Sequence, residues 1–495
     1  MKADKIDFVD TTLRDAQASL WGEKMNTAMM VKAASMMSHA GFKAIDATAI
    51  SHFEFAVRYH RENPWERMRI LSSLIPNTPL SIMTGTKSLT LFKIVAGPIL
   101  SLWFERLAAN GIKRIQTMEP SNIMEDIAGG VRYAKSAGLE VVVALTYSLS
   151  PFHTDEYFSQ KTRDIVRLSP DAIYLKDPGG LLTPERIRTL IPAIQGYLDG
   201  LPLELHSHCT TGLAPLCYLE AMKLGVKTFH TAIPPLANGS SQPSIENIIE
   251  NASYLGYVSD VDNGAIRACA SHFLNVARAE GLPIGAPLEY QVRQYDHQVP
   301  GGVISNLRRQ LAELGLEDRL PEVLEEAAVV RKELGYPIMV TPFSQYVVTQ
   351  AAINVTQEER YKAITDELIH FALGHWGKQD FTIDENLMDR INNYPRTKEL
   401  VKWIPEELTI EDLRNQFGNC FTDDELLLLV LCNESDFMAM RNAGPVNTEY
   451  LYNDESDSIK YFISKMLEAN KIKSIEVKQF DCHLSIKRDC NHPLK

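Results

Sequence analysis

Two stretches decide the fold: Ala172-Ile173-Tyr174-Leu175-Lys176-Asp177-Pro178-Gly179-Gly180 and Leu203-Glu204-Leu205-His206-Ser207-His208, with His206 falling 30 residues after Lys176. Each starts as a short apolar run and ends in polar residues. That is the pattern of a buried parallel strand opening onto a site at its C-terminal end. Residues two apart on a strand point the same way, so His206 and His208 share a face and can grip one metal ion. A third such end lies near the N-terminus, where Lys5-Ile6-Asp7-Phe8-Val9 runs into Asp10-Thr11-Thr12-Leu13-Arg14-Asp15. A lone His-x-His pair is weak evidence, but three polar strand ends in order argue for a barrel with a metal at its mouth.

Outward from these strands the same rhythm persists. Short β-rich runs at 6–9, 43–47, 80–84, 113–117, 139–146, 172–175, 203–207 and 226–231 alternate with amphipathic stretches such as Ala28 to Ser38 and Pro184 to Tyr197. Eight strands alternating with helices over residues 1–275 predict a (β/α)8 TIM barrel in the α/β class. A doubly wound sheet would need a Gly-rich phosphate loop after the first strand, and none is there. From 276 to 445 helical segments follow one another without strands: Leu307 to Gly315, Leu320 to Leu334, Glu358 to His370 and Asp423 to Leu431. This predicts a helical, funnel-like domain completing the barrel mouth. Residues 446–495 read as a small appended α/β segment, with an acidic patch, a helix from Ser458 to Asn470 and two strand-like runs.

The chain has 495 residues, 45% hydrophobic and 23% charged, an ordinary globular balance for two or three domains. Its formal charge of −13 disfavours nucleic acid or an anionic membrane as a general partner. The N-terminus lacks an apolar signal core, and the runs Ile94 to Leu102 and Leu426 to Leu431 are too short or too interrupted to span a bilayer. Seven cysteines without CxxC spacing point to reduced thiols and a cytoplasmic home. Cys209 points to the face opposite the histidines, which disfavours it as a ligand.

Lys176 is the unusual member. A protonated lysine repels a cation, so a metal-binding lysine must be neutral or modified; reaction of the neutral amine with CO2 gives an anionic carbamate. The plainer alternative is an ion pair with Asp177, and the place of Lys176 between Asp15 and the histidines favours the first reading.

At this point the sequence resembles a family, the carboxyltransferase component of biotin-dependent enzymes: pyruvate carboxylase, the oxaloacetate decarboxylase α subunit and the transcarboxylase subunit acting on oxaloacetate and pyruvate. The likeness runs from Asp10 to about Asn354 through Asp10-Thr-Thr-Leu-Arg-Asp15, Glu62-Asn-Pro-Trp-Glu66-Arg67, Tyr147-Ser-Leu-Ser-Pro151 and Leu175-Lys-Asp177. It continues through Leu205-His-Ser-His208, Ser241-Gln-Pro-Ser244, Val299-Pro-Gly-Gly302 and Val340-Thr-Pro342. The resemblance implies a divalent Zn, Mn or Co ion held by Asp15, carbamylated Lys176, His206 and His208. It implies Thr341 as proton shuttle between substrate and biotin, and it places Lys176 and Arg14 with Thr341 among the catalytic residues.

The departures concern the substrate. Family members handling pyruvate carry Arg-Asp-Ala-His-Gln after the first strand, where this chain has Arg14-Asp15-Ala16-Gln17-Ala18. The third-strand Arg-Gly becomes Thr84-Gly85, followed by Thr86-Lys87. The Gly-Gly after the second strand becomes Ala49-Ile50, then Ser51-His52-Phe53, the Phe-Asp of strand four becomes Gln116-Thr117, and Phe343 replaces a small residue. Losing an arginine that pairs with a carboxylate costs on the order of 2–5 kcal/mol, about two to four decades in affinity. Gln17, Thr84, Lys87 and Phe343 are therefore the expected substrate-binding residues of an altered acid pocket, Lys87 offering a point charge rather than a fork.

Ser485-Ile-Lys-Arg-Asp-Cys-Asn-His-Pro-Leu-Lys495 lacks a biotin attachment sequence, so biotin is expected in trans on a carrier protein charged by a separate biotin carboxylase. The resemblance also implies a homodimer or higher oligomer. Other readings stay open here: an unchanged pyruvate/oxaloacetate enzyme, a biotin-independent metal-dependent aldol-type lyase, and a non-catalytic assembly subunit.

Overall fold

The computed structural model describes residues 4–89, 94–377, 380–405, 408–450, 474–479 and 482–487. Eight strands close into a parallel barrel in chain order: β1 Asp7–Asp10, β2 Ala44–Ala49, β3 Leu80–Gly85, β4 Arg114–Met118, β5 Glu140–Thr146, β6 Ala172–Asp177, β7 Leu203–Ser207 and β8 Thr228–Thr231. All eight expected strands are present, and β1 seals the ring by pairing with β8, Val9 opposite His230. The expected (β/α)8 fold follows from the runs themselves. Apolar strands buried along their length need helices outside, and Phe8, Ile45, Ile82, Ile115, Val143, Ile173, Leu205 and Phe229 face that layer in one continuous core.

The barrel interior is polar where the site is built. On β7 the inward row is Glu204, His206, continued by His208, and the register sets Lys176 of β6 beside His206 and Tyr174 beside Glu204. Below the mouth only Val142, Ala144, Ala172 and Tyr174 form a small apolar plug.

Beyond the barrel a second core gathers Val299, Leu307, Val323, Val330, Phe343, Leu368 and Leu387, all within residues 294–400. It rests on the barrel rim through buried polar contacts. Arg331 donates to Ser148 Oγ (2.9 Å) and the Leu149 carbonyl (2.8 Å), and Gln298 bonds the same loop. Gly301 lies against Ser240, so close that a Cβ would stand 2.8 Å from the Ser240 Cβ.

Three differences from the sequence reading have physical causes. Helices Ile410–Phe417, Asp423–Leu431 and Glu434–Ala443 join the barrel core rather than the helical one, so apolar packing divides the expected 276–445 unit. The helix expected at Glu358 to His370 begins at Asp366, capped by Thr365, because Arg360 and Tyr361 are drawn into bonds with Glu326 and Glu333. Helix Phe343–Thr356 passes unnoticed in the sequence since its exposed side (Gln345, Thr349, Ala352, Thr356) is only weakly polar while Ser344, Gln350 and Asn354 are buried, so no amphipathic stripe shows. Of the appended segment, Ser474–Gln479 and Cys482–Lys487 pair antiparallel, while the helix expected at Ser458 to Asn470 lies outside the described residues. Among the described residues no helix is long and apolar enough to cross a membrane, and Cys209, Cys217, Cys269, Cys420 and Cys432 are free thiols.

Candidate active site at the barrel mouth

After β1 the chain winds through a wide helical turn, Thr12–Ala16. Asp10 shapes it: its carboxylate accepts from the Thr12 amide (3.0 Å) and hydroxyl (2.6 Å). The turn delivers Arg14 and Asp15 to the mouth, both buried. Arg14 donates Nη1 to Asp15 Oδ2 at 2.8 Å and Nε to Asp46 Oδ2 at 2.6 Å. Burial pushes the Asp15 carboxyl up, but Arg14 and the two histidines outweigh it and hold the group well below the ordinary carboxylate range.

Asp15 Oδ2 lies 3.2 Å from His206 Nε2 and 3.5 Å from His208 Nε2, and the two imidazole nitrogens are 3.3 Å apart. These three groups form the single described cluster whose donor atoms stand close enough to hold one ion. Ligands about 2.0–2.1 Å from a tetrahedral centre are separated by about 3.3 Å, so the donor set fits a small divalent cation. Gln242, from the Ser-Gln-Pro-Ser stretch, reaches the same point: its Nε2 is 3.0 Å from His208 Nε2 and 3.4 Å from His206 Nε2.

Lys176 stands beside them, 3% exposed, with Nζ 3.0 Å from Met83 Sδ. Burial lowers its pKa from 10.5 to about 8, which favours the neutral amine that CO2 requires. The alternative ion pair with Asp177 does not form. Asp177 points the other way, accepting from the Leu181 and Leu182 amides (both 2.9 Å) and from Ser207 Oγ (2.8 Å). It thereby locks the β6 turn onto β7. Gly180 completes the lock at φ +63°, where a Cβ would stand 2.5 Å from the His208 carbonyl.

The expected substrate-binding residues are not brought together. Thr84 is buried, and its hydroxyl accepts from Trp103 Nε1 at 3.0 Å in the helix layer, leaving Met83 and Gly85 half-buried on the strand's other face and Lys87 half-buried beyond the strand end. Phe343 packs in the helical core against Phe371 and Tyr346, not against the metal cluster. Gln17 is buried in the rim wall with its amide 3.3 Å from both ring nitrogens of His52, a residue the sequence reading named as a departure but gave no role. Thr341 is half-buried, just ahead of helix Phe343–Thr356. Three residues on, the Ser344 hydroxyl is buried with no hydrogen-bond partner.

A closed parallel barrel with an Asp/Lys/His/His mouth beneath a helical domain defines a (β/α)8 enzyme with its site at the C-terminal rim. Residues 295–480 match the family model described as a conserved carboxylase domain. A pyruvate carboxylase subunit of Methanocaldococcus jannaschii is 36% identical over 389 residues, covering 78% of this chain and 68% of that protein. The 2-oxoglutarate carboxylase large subunit of Hydrogenobacter thermophilus is 28% identical, covering 90% and 70%. The methylmalonyl-CoA carboxyltransferase 5S subunit of Propionibacterium freudenreichii subsp. shermanii is 29% identical, covering 75% and 74%. The fold matches the carboxyl transferase domain of Rhizobium etli pyruvate carboxylase with a TM-score of 0.81, at 22% identity over 89% of this chain and 77% of that one. The chain belongs to the carboxyltransferase family of the biotin-dependent carboxylases.

Proposed function

We propose that this carboxyltransferase moves a carboxyl group between carboxybiotin on a separate carrier protein and a small organic acid other than plain pyruvate. The observation that carries the catalytic part is the Asp15–His206–His208 cluster with the buried Lys176 amine beside it. Asp15, His206, His208 and carbamylated Lys176 would hold a divalent Zn, Mn or Co ion. Such an ion supplies Lewis-acid polarisation of a substrate carbonyl. Arg14 keeps Asp15 ionised and oriented, and the Thr341 hydroxyl passes the proton between acid and biotin. A separate biotin carboxylase charges the carrier, and the enzyme works as a homodimer or higher oligomer in the cytoplasm. No nucleic acid or membrane takes part.

The altered acid is supported by Thr84, which carries no charge and is engaged by Trp103, and by Met83 on the strand face beside Lys176. In this reading Lys87 and Gln17 meet the acid, Gln17 turning its amide away from His52 to do so. A second reading, pyruvate itself, is favoured by the 36% identity to the Methanocaldococcus jannaschii pyruvate carboxylase chain.

Oxaloacetate decarboxylation with excess free biotin, alongside Lys176→Ala, separates them. Turnover that vanishes in the variant establishes the pyruvate reading. No turnover from protein carrying one equivalent of metal supports another acid and directs a screen of carboxylic acids. Protein that takes up no metal under any condition removes the proposed site.

A further inference from the structure

Beneath the mouth a second row of buried polar groups runs down the barrel from His206. His206 Nδ1 lies 3.2 Å from His230 Nδ1, and His230 Nε2 lies 3.0 Å from Glu204 Oε2. The Glu204 carboxylate also accepts from Arg114 Nη2 at 2.7 Å and Lys43 Nζ at 2.9 Å. Glu204, His206 and His230 are each 0% exposed, so every proton in the row needs a partner.

The protons can be placed by elimination. Both other partners of Glu204, the Arg114 guanidinium and the Lys43 ammonium, can only donate, so its carboxylate only accepts. His230 must therefore donate its Nε2–H to Glu204. A neutral imidazole protonated on Nε2 has its lone pair on Nδ1, and the atom facing that lone pair is His206 Nδ1, which must carry the hydrogen. His206 Nε2 then faces Asp15 and His208: it presents a lone pair when a cation lies between them, and without one it takes a second proton toward the Asp15 carboxylate 3.2 Å away. On the other side His208 Nδ1 lies 2.7 Å from the Ser240 carbonyl, which fixes its hydrogen there and frees its Nε2 as well. Gln242 Nε2, a donor only, lies 3.0 Å from His208 Nε2 and 3.4 Å from His206 Nε2, within reach of either lone pair.

We propose that His230 and Glu204 are positioning residues that lock His206 in the Nδ1–H tautomer, so that its Nε2 lone pair stands ready for the cation. This rests on the reading that Asp15, His206 and His208 bind one. Carboxylate and carbonyl partners behind metal-ligating histidines act in this way; here a second histidine is interposed between the ligand and its carboxylate.

The test compares His230→Leu with His230→Asn, whose side-chain oxygen can still accept from His206 Nδ1. Cobalt(II) affinity is measured by chelator competition and by the visible absorption of the bound ion. The expected result is a loss of about 10–100-fold for the leucine variant, the usual effect of removing such a partner, with the asparagine variant restoring most of it. Unchanged affinity in His230→Leu, or equal loss in both variants, overturns the proposal. A second measurement stands apart from folding of the variants and from the metal. In apo protein labelled with 15N-histidine, His206 Nδ1 should carry a hydrogen whatever the state of Nε2 beside Asp15, and a bare Nδ1 refutes the lock. Wild-type protein that takes up no cobalt defeats the metal reading alone, and the labelled-histidine spectrum still decides the tautomer.

Discussion

The buried Lys176 amine allows one prediction to be worked through. Burial brings its pKa from 10.5 to about 8. At pH 7 about one molecule in eleven then carries a neutral amine, against about one in 3,000 for an ordinary lysine, a gain of about 300-fold. CO2 combines only with the neutral form. At fixed dissolved CO2, the initial rate of carbamate formation, in which the amine adds to CO2 and releases a proton, should rise about tenfold for each pH unit below 8 and level off above it. The sign follows from the direction of the shift: the reactive form is present above the folded pKa and is lost as pH falls through it. The assay uses apo protein in CO2-free buffer from pH 6 to 9, then adds 13C-bicarbonate. The carbamate carbon resonance is followed together with cobalt(II) affinity. Both should rise together and be absent in Lys176→Met. A missing carbamate signal at pH 8.5, or metal binding indifferent to CO2, would refute the argument.

Lys176→Met should also stabilise the apo protein at pH 7, since a lysine with a lowered folded pKa opposes folding while protonated. The gain, about 3 kcal/mol, should fade as pH rises from 8 to 10.5, as urea titrations can follow. Thr341→Ala should lower turnover about 10²–10⁴-fold with metal content unchanged, which steady-state rates and metal analysis on one preparation can check. Arg331→Leu removes two hydrogen bonds between the helical domain and the Ser148–Leu149 loop. It should cost about 2–4 kcal/mol and speed limited proteolysis at the already exposed 281–293 segment while metal binding persists.

The barrel was readable because its strands are short apolar runs ending in polar residues, a pattern that needs no tertiary knowledge. Placing Lys176, His206 and His208 required only the two-residue period. The same period could have found Glu204, which shares the His206 face, but a lone glutamate in an apolar run gives no hint of the histidine on β8 that it holds. Thr84 shows the limit. Whether Thr84 or Met83 faces the mouth depends on which way the strand is turned, and that is set by tertiary pairing such as Gln116 Nε2 with Ser81 Oγ. Phe343 was legible as bulk but not as core, because helix Phe343–Thr356 buries polar residues such as Ser344, Gln350 and Asn354 beside its apolar ones.

The return of Ile410–Phe417, Asp423–Leu431 and Glu434–Ala443 to the barrel has a mechanical consequence. Asp424 accepts from Arg106 (2.7 Å), Arg69 (3.3 Å) and Asn110 (3.3 Å), so the chain beyond the helical domain is clasped to the barrel's flank. Residues 294–400 are thus a handle fixed at two points rather than a flap hung from one. Such a mount permits rocking about the line joining its anchors and forbids swinging clear. A carrier-borne group would meet a mouth whose roof pivots in place, and severing either anchor would turn that pivot into a tether.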